Sequence, residues 1–413
     1  MKNIFLLLCV FIGLKNISNA QIVNIPDAHF KAYLVGTTSI NTNSDSEIQV
    51  SEASTYTGSI SVSNRGINDL TGIEEFTSLT VLEVANNPVT SLNVSSNTNL
   101  TRLLCDQTSI STLNLSKNIV LKELYCSYCH LTSLNISTNT LITFLQCSNN
   151  QLTSLNTSYN TALFTLICDY NQLTNLDVSS NTALSVLECN NNQLTSLNIL
   201  SNTALSNLRC DYNQLISLNV SSNTTLSKLQ CNHNQLTSLD VSKNHSLSSL
   251  DCSENLLTVL NVKNGNNNNF ITGGGYVYDI CCTPPQATFN AISNANLQCI
   301  QVDDAAYSVN NWSNKIDSTA SFSLNCNYVT EITESTINNT ISIFPNPNNG
   351  NFKIESIKNI ISLEISDTYG SIVLSQKPNI NYVIINLSEL CKGVCFVKII
   401  TTSSIVVEKI IIQ

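Results

Sequence analysis

The chain has 413 residues and a formal net charge of −10, with only 11% of its residues charged. Such a surface offers no basic stripe for a phosphate backbone, which argues against nucleic acid as a partner. The 42% hydrophobic content allows a sizeable core, and the 16 cysteines call for a structural account.

Met1-Lys2-Asn3 leads into an apolar run, Ile4–Leu14, and then to Ser18-Asn19-Ala20 before Gln21. This is the layout of a cleaved secretory signal over residues 1–20, with small residues at the cleavage point. The run is too short to span a bilayer and no later stretch is apolar enough, so no transmembrane segment is expected after signal removal. Cys9 lies inside the run and is expected to leave with it. Residues 21–58 read as an N-terminal cap with a short helix from Pro26-Asp27 through Tyr33. Asn41–Glu52 has the spacing of a twelve-residue calcium loop, with oxygen-bearing residues at positions one, three, five and twelve. Position one is asparagine and position six is Ser46 rather than glycine, so a plain cap turn is the competing reading. No metal is assigned.

Residues 59–264 repeat. Cys105, Cys126, Cys147, Cys168, Cys189, Cys210, Cys231 and Cys252 follow one another at intervals of 21 residues. A fixed period of this length marks a solenoid, in which no unit buries its apolar face alone. Around Cys189 the frame is L-x-x-L-x-C-x-x-N-x-L, then x-x-L-x-V/I and a turn at Ser201-Asn202-Thr203. Leu187 to Cys189 read as a short strand with alternate side chains inward, and the Leu197–Ile199 step as a second extended segment on the opposite wall. Asn150, Asn171, Asn192, Asn213, Asn234 and Asn255 form one corner row, and Asn97 through Asn244, every 21 residues, another. A short amide bonds backbone groups that a bend leaves unpaired, so both rows are structural. The repeated cysteines face their in-register neighbours in a geometry poor for a disulfide. They are expected to be free thiols that pack as small apolar residues.

L-x-x-L-x-C-x-x-N-x-L is similar to the leucine-rich repeat, with cysteine at the third apolar position of the strand. The match runs from Leu79 to Val262, nine coils, with an irregular earlier coil at Ile60–Leu70. There Asn68-Asp69-Leu70-Thr71-Gly72-Ile73 resembles the opening of internalin-like repeats. The resemblance implies a binding scaffold rather than a catalyst.

Residues 265–326 break the period at Gly265–Phe270 and Gly273-Gly274-Gly275. They contain a worn final coil at Asn294–Cys299 and the single tryptophan, Trp312, and read as a cap over the open end of the core. Cys281, Cys282, Cys299 and Cys326 are disulfide candidates of open pairing. Residues 327–340 read as a linker. From 341 to 413, short β-branched strands between turn residues predict a small β-sandwich. Pro345-Asn346-Pro347 with Gly350, the step to Gly370, the Leu387–Gly393 turn and the terminal Lys409 resemble the C-terminal sorting domain of type IX secretion cargo. Cys395 stands where that family usually has an aromatic residue. The resemblance implies outer-membrane translocation by the type IX machinery, removal of this domain, and release or attachment at the surface of a Gram-negative bacterium.

The expected fold is therefore mainly β, a leucine-rich-repeat solenoid of nine to ten coils followed by a small β-sandwich. Within it, Cys126-Ser127-Tyr128-Cys129-His130 spells the C-x-x-C-H of c-type haem attachment. Cys126 belongs to the core row and Cys129 to the asparagine row, so packing is the better account and no cofactor is assigned. Two residues past the cysteines the row reads Tyr128, Asn149, Tyr170, Asn191, Tyr212, His233. Tyrosines on every second coil, about 9–10 Å apart, suit stacking on the rings of an extended glycan. Internal duplication of Cys-Asp-Tyr-Asn-Gln-Leu is the rival account. Tyr128, Tyr170, Tyr212 and His233, with Asp169 and Asp211, are the candidate ligand contacts. Glu188 and Arg209, at equivalent positions of neighbouring coils, read as a cross-strand ion pair. The four histidines lack a repeated acidic or cysteine partner, so an enzyme is not expected. The reading is a secreted or surface protein that recognises an extracellular protein or polysaccharide. The alternatives are a surface-coat or adhesin-like structural element and a carbohydrate-active β-solenoid.

Overall fold

Alternation sets the first wall of each coil. Leu184, Leu187 and Cys189 are fully buried, while Val186 and Glu188 are half-buried on the outer side of the strand Val186–Glu188. In the computed structural model, which describes residues 21–270, 289–326, 341–367, 372–387, 393–401 and 405–412, such strands stack in register. Val186 lies beside Asn207 and Glu188 beside Arg209, for example. The result is a parallel sheet of eleven strands, from Ser59–Ser61 to Phe289–Asn290. The opposite wall forms a ladder only toward the far end. There Ser238–Asp240, Val259–Asn261, Cys299–Gln301 and Ser321–Ser323 make a second, four-stranded parallel sheet. In earlier coils the Ser196-Leu197-Asn198 segment and its counterparts carry no ladder.

The chain divides into two compact units, one through Cys326 and one from Asn327. In the first, the interior is rows of leucine and thiol. Cys105, Cys126, Cys147, Cys168, Cys189, Cys210, Cys231 and Cys252 are all free and buried; burial pushes the thiols from Cys126 onward well above the ordinary range, and the hydrogen bond with Cys129, together with burial, does so for Cys105. Both asparagine rows bind between coils. Asn192 Nδ2 donates to the Cys189 carbonyl of its own coil at 3.1 Å and to the Cys168 carbonyl of the previous one at 3.1 Å. Its Oδ1 accepts from Leu173 N at 2.9 Å. Asn202 Nδ2 donates to the carbonyls of Val178 and Asn181, each at 2.9 Å. Backbone groups that the bends leave unpaired are thus satisfied from the next coil.

Both ends of this unit are closed. The helix Ala28–Val35 is capped by Asp27, which also accepts from Asn68 N at 2.9 Å and so ties the cap to the first coil. Phe30 and Leu34 are buried against the core. At the far end the helix Ala305–Trp312 puts Trp312 over Phe289, ring centroids 4.5 Å apart. Asn294 continues the corner row by donating to the Cys252 carbonyl at 3.1 Å. Cys299 and Cys326 form a disulfide. The signal stretch 1–20, Cys281, Cys282, the linker 327–340 and Gly370 lie outside the described residues.

The second unit is one antiparallel sheet folded on itself. Its long strand, Asn351–Ser366, pairs through its first half with Ile341–Phe344 and Ile380–Asn386. Its second half pairs with Ile372–Gln376 and Gly393–Thr401. Register shifts on either side of Ile360 mark the passage between partners. Phe352, Ile354, Leu363, Val383, Val397 and Ile410 are buried in a common core.

Candidate functional site

After each strand the backbone turns through one left-handed residue. Tyr128, Asn149, Tyr170, Asn191, Tyr212, His233 and Glu254 all have φ between 51° and 53°. This conformation costs an ordinary L-residue about 1–2 kcal/mol and is best tolerated by glycine and asparagine. Asn149 and Asn191 therefore suit the position, and the tyrosines do not. Their rings stand on the surface, 53% exposed at Tyr128 and Tyr170 and 47% at Tyr212. A shallow depression lies between the first two, lined by Tyr128, His130, Asn149, Gln151, Tyr170 and Gln172.

His233 ends the ridge. Its ring stacks on Tyr212 with centroids 3.9 Å apart and planes 20° from parallel. Its Nε2 is 2.8 Å from Glu254 Oε2 and its Nδ1 is 3.0 Å from Asn232 Nδ2, so both nitrogens are engaged within the protein.

The aspartates expected beside these rings sit deeper. Asp169 is half-buried and accepts from the Ser148 hydroxyl. Asp211, read from the sequence as a surface contact, is only 5% exposed. Burial raises its pKa to about 6, against the lowering pull of Arg209. Its row turns under the ridge, which removes it from the exposed contacts. Asp106, in the same row, is likewise raised to about 6 by burial and accepts from Ser127 N at 2.6 Å.

The outer face of the strands holds aromatic residues that the repeat frame hid as variable positions. Tyr125 and Phe144 stack with centroids 4.6 Å apart, Phe164 is 54% exposed, and Leu104 and Ile167 are half-buried on the same stretch of coils. Reading each x of L-x-x-L-x-C as a column would have found them. Arg102 bounds this patch at one end, 3.6 Å from Glu83, 3.4 Å from Glu123, and 5.3 Å from the Tyr125 ring centroid. Toward the other end Arg209 lies 3.6 Å from Glu188, the ion pair expected from their positions.

The side chains of the remaining constellations bond within the fold. Cys126 is in the thiol row, and Cys129 takes the corner asparagine's place, its Sγ 3.3 Å from the Cys105 carbonyl and 3.3 Å from Thr108 Oγ1. In the Asn41–Glu52 loop, the Glu52 carboxylate accepts from Thr42 N at 2.8 Å and Gln49 N at 3.0 Å, and Asp45 accepts from Glu47 N at 2.7 Å. These are cap and turn bonds. Among the described residues no group of three or more His, Cys, Asp or Glu converges as for a metal ion, and no helix is long and apolar enough to cross a membrane.

In the second unit the Pro345-Asn346-Pro347 segment holds the last strand, Ile405–Ile412. Asn346 Nδ2 donates to the Lys409 carbonyl at 2.8 Å and its Oδ1 accepts from Ile411 N at 2.9 Å. Asn348 Oδ1 then accepts from Gly350 N at 2.7 Å. Gly350 and Gly393 have φ of 92° and 100°, a backbone that accounts for glycine at both motif positions.

The family model described as a secretion system C-terminal sorting domain matches residues 342–413. No curated protein matches the chain. Among solved structures, the functional domain of InlJ from Listeria monocytogenes, described as including a cysteine ladder, is similar at 22% identity and a TM-score of 0.51, over 94% of this chain and 98% of that one. The internalin InlF from the same organism is similar at 18% identity and a TM-score of 0.51, over 72% of this chain and 91% of that one. Both likenesses establish the solenoid fold, and the sorting-domain match establishes export. The first unit thus has an internalin-like solenoid fold, and residues 342–413 carry a type IX secretion sorting domain that sends the protein to the cell surface or beyond it.

Proposed function

We propose that the solenoid is an extracellular recognition module that binds a protein or polysaccharide through the aromatic side chains its coils present. The observation that carries this reading is the grouping of surface rings: exposed Tyr128, Tyr170 and Tyr212 on the ridge, with exposed Phe164 and the half-buried Tyr125–Phe144 stack on the strand face. Rings anchored on a rigid repeat give large contact area with little loss of side-chain freedom, and such residues dominate binding energy at interfaces. The surrounding turns are mostly Asn, Ser and Thr, which make adaptable hydrogen bonds. Residues 341–413 serve export through the type IX machinery.

The test is a screen of the purified exported protein against arrays of glycans and extracellular matrix proteins. Changing Tyr170 and Tyr212 together to alanine should leave the fold intact and weaken capture of whatever ligand the array identifies. Unchanged capture would remove the ridge from the reading. A protein that captures nothing on either array would favour a surface-coat element without a single ligand.

A further inference from the structure

The ridge alternates in a way that core packing does not explain. Every regular coil places the residue two past its row member in the left-handed region, and asparagine is the side chain that sits there most easily. Asn149 and Asn191 occupy it, yet Tyr128, Tyr170 and Tyr212 alternate with them. Their rings are about half exposed, so the unfavourable backbone is not offset by burial. Backbone strain at exposed positions points to a use outside the fold.

Alternation also makes slots. With strands about 4.8 Å apart, rings on every second coil stand about 9.6 Å apart, leaving one gap above Asn149 and a second above Asn191. The first gap is the depression already described, rimmed by His130, Gln151 and Gln172. The repeat brings Gln172, Gln193 and Gln214, all exposed, to the corresponding rim of the second. Beyond Tyr212 the comb is closed by the stacked His233.

Tyrosine rings therefore bound each gap, and its floor and rim are mostly primary amides, with His130 beside the first. Amides donate and accept at once, as sugar hydroxyls do. The lining of the first slot contains no carboxylate, ammonium or guanidinium group, its titratable side chains besides the tyrosines being His130 and Cys129, so it lacks the fixed cation that sulfate, phosphate or uronate would need. A proline-rich helix has a turn of about 9.3 Å and would match the spacing, but its proline residues offer only acceptors to a lining that does both. In an extended ribbon-like chain of β-linked sugars, alternate rings face the same way at a repeat close to two coils.

We propose that Tyr128, Asn149, Tyr170, Asn191 and Tyr212 form a two-slot site for a neutral, ribbon-like, β-linked polysaccharide. The proposal rests on the recognition reading above and names the ligand class. Tyr170 is the wall shared by both slots.

The test is affinity electrophoresis of the full chain through gels containing a soluble neutral β-glucan, a carboxylated glycan or no glycan, with titration of a proline-rich peptide alongside. Retardation is expected in the neutral β-glucan alone. Tyr170→Asn should weaken it roughly tenfold or more, about 1.4 kcal/mol of binding. Tyr128→Asn and Tyr212→Asn, each opening one slot, should weaken it less. Tyr159→Asn, at an exposed tyrosine outside the comb, should not change it. Each ridge variant should melt at or above the wild-type temperature, because asparagine replaces tyrosine at a left-handed position. No retardation of the wild type, preference for the carboxylated glycan or the peptide, or retardation that survives Tyr170→Asn would overturn the proposal. A lower melting temperature for Tyr170→Asn would do the same, by showing that the ring serves the fold. Array capture of some other partner that survives Tyr170→Asn would leave the recognition reading standing while sinking this one.

Discussion

Asp211 and Asp106 lie under the ridge with carboxyl groups whose pKa burial raises to about 6, above the usual value of about 3.9. Each binds its proton more tightly folded than unfolded. The stability they contribute is therefore complete below about pH 4 and is lost as the pH rises through about 6. Asn190 and Asn232 occupy the same row position in the coils on either side of Asp211. Asp211→Asn should accordingly stabilise the protein at pH 8 by about 1–3 kcal/mol and leave it unchanged at pH 4. Thermal melts across that range check it, and a variant less stable at pH 8 would mean that the Arg209 attraction outweighs burial. None of this was legible in the sequence. The 21-residue period makes the fate of Cys189 plain because the same side chain recurs at the same phase. Asp211 recurs only in alternation with serine and asparagine, so its row has no apolar signature to reveal that it turns inward.

At the scale of the coil, the second asparagine row contains a natural comparison. The Oδ1 atoms of Asn97, Asn118, Asn139, Asn160, Asn202, Asn223 and Asn244 are buried without a hydrogen-bond partner. Asn181 differs because Thr157 Oγ1 donates to its Oδ1 at 2.8 Å. Thr157 stands at a position that is Val178, Ile199 and Val220 in later coils. Thr157→Val should cost about 1 kcal/mol through the lost bond. Val220→Thr, which offers a hydroxyl to Asn244, should cost less than the roughly 1–3 kcal/mol usual for burying a hydroxyl without a partner. Urea denaturation checks both, and a full penalty for Val220→Thr would show that the hydroxyl does not reach the amide. The two amide rows were readable because turns need their chemistry. The restriction of the second sheet to the last coils was not, since Ser196-Leu197-Asn198 and Ser238-Leu239-Asp240 carry the same pattern and only the latter meets a laddered neighbour. The strand-face aromatics Tyr125, Phe144 and Phe164 were missed for a related reason: the frame that exposes the core treats outward columns as free to vary.

For the molecule as a whole, one interior carries the solenoid, and the proposed recognition uses its outward rows. Cysteine in the ladder acts as a small apolar side chain, and the disulfide between Cys299 and Cys326 lies outside that row. Burial holds the ladder thiols in their unreactive protonated form. Cys129 is the exception. Hydrogen bonds from Cys105 and Thr108 lower its pKa to about 7, and it borders the depression between Tyr128 and Tyr170. Alkylating the intact protein with iodoacetamide, before and after denaturation, and mapping the modified peptides by mass spectrometry tests this division most directly. Cys129 should react before the ladder thiols, and Cys147, Cys168, Cys189, Cys210, Cys231 and Cys252 only once the protein unfolds. Modification of those six in the native protein at the rate of an exposed thiol would contradict a dry, closed interior and the account built on it.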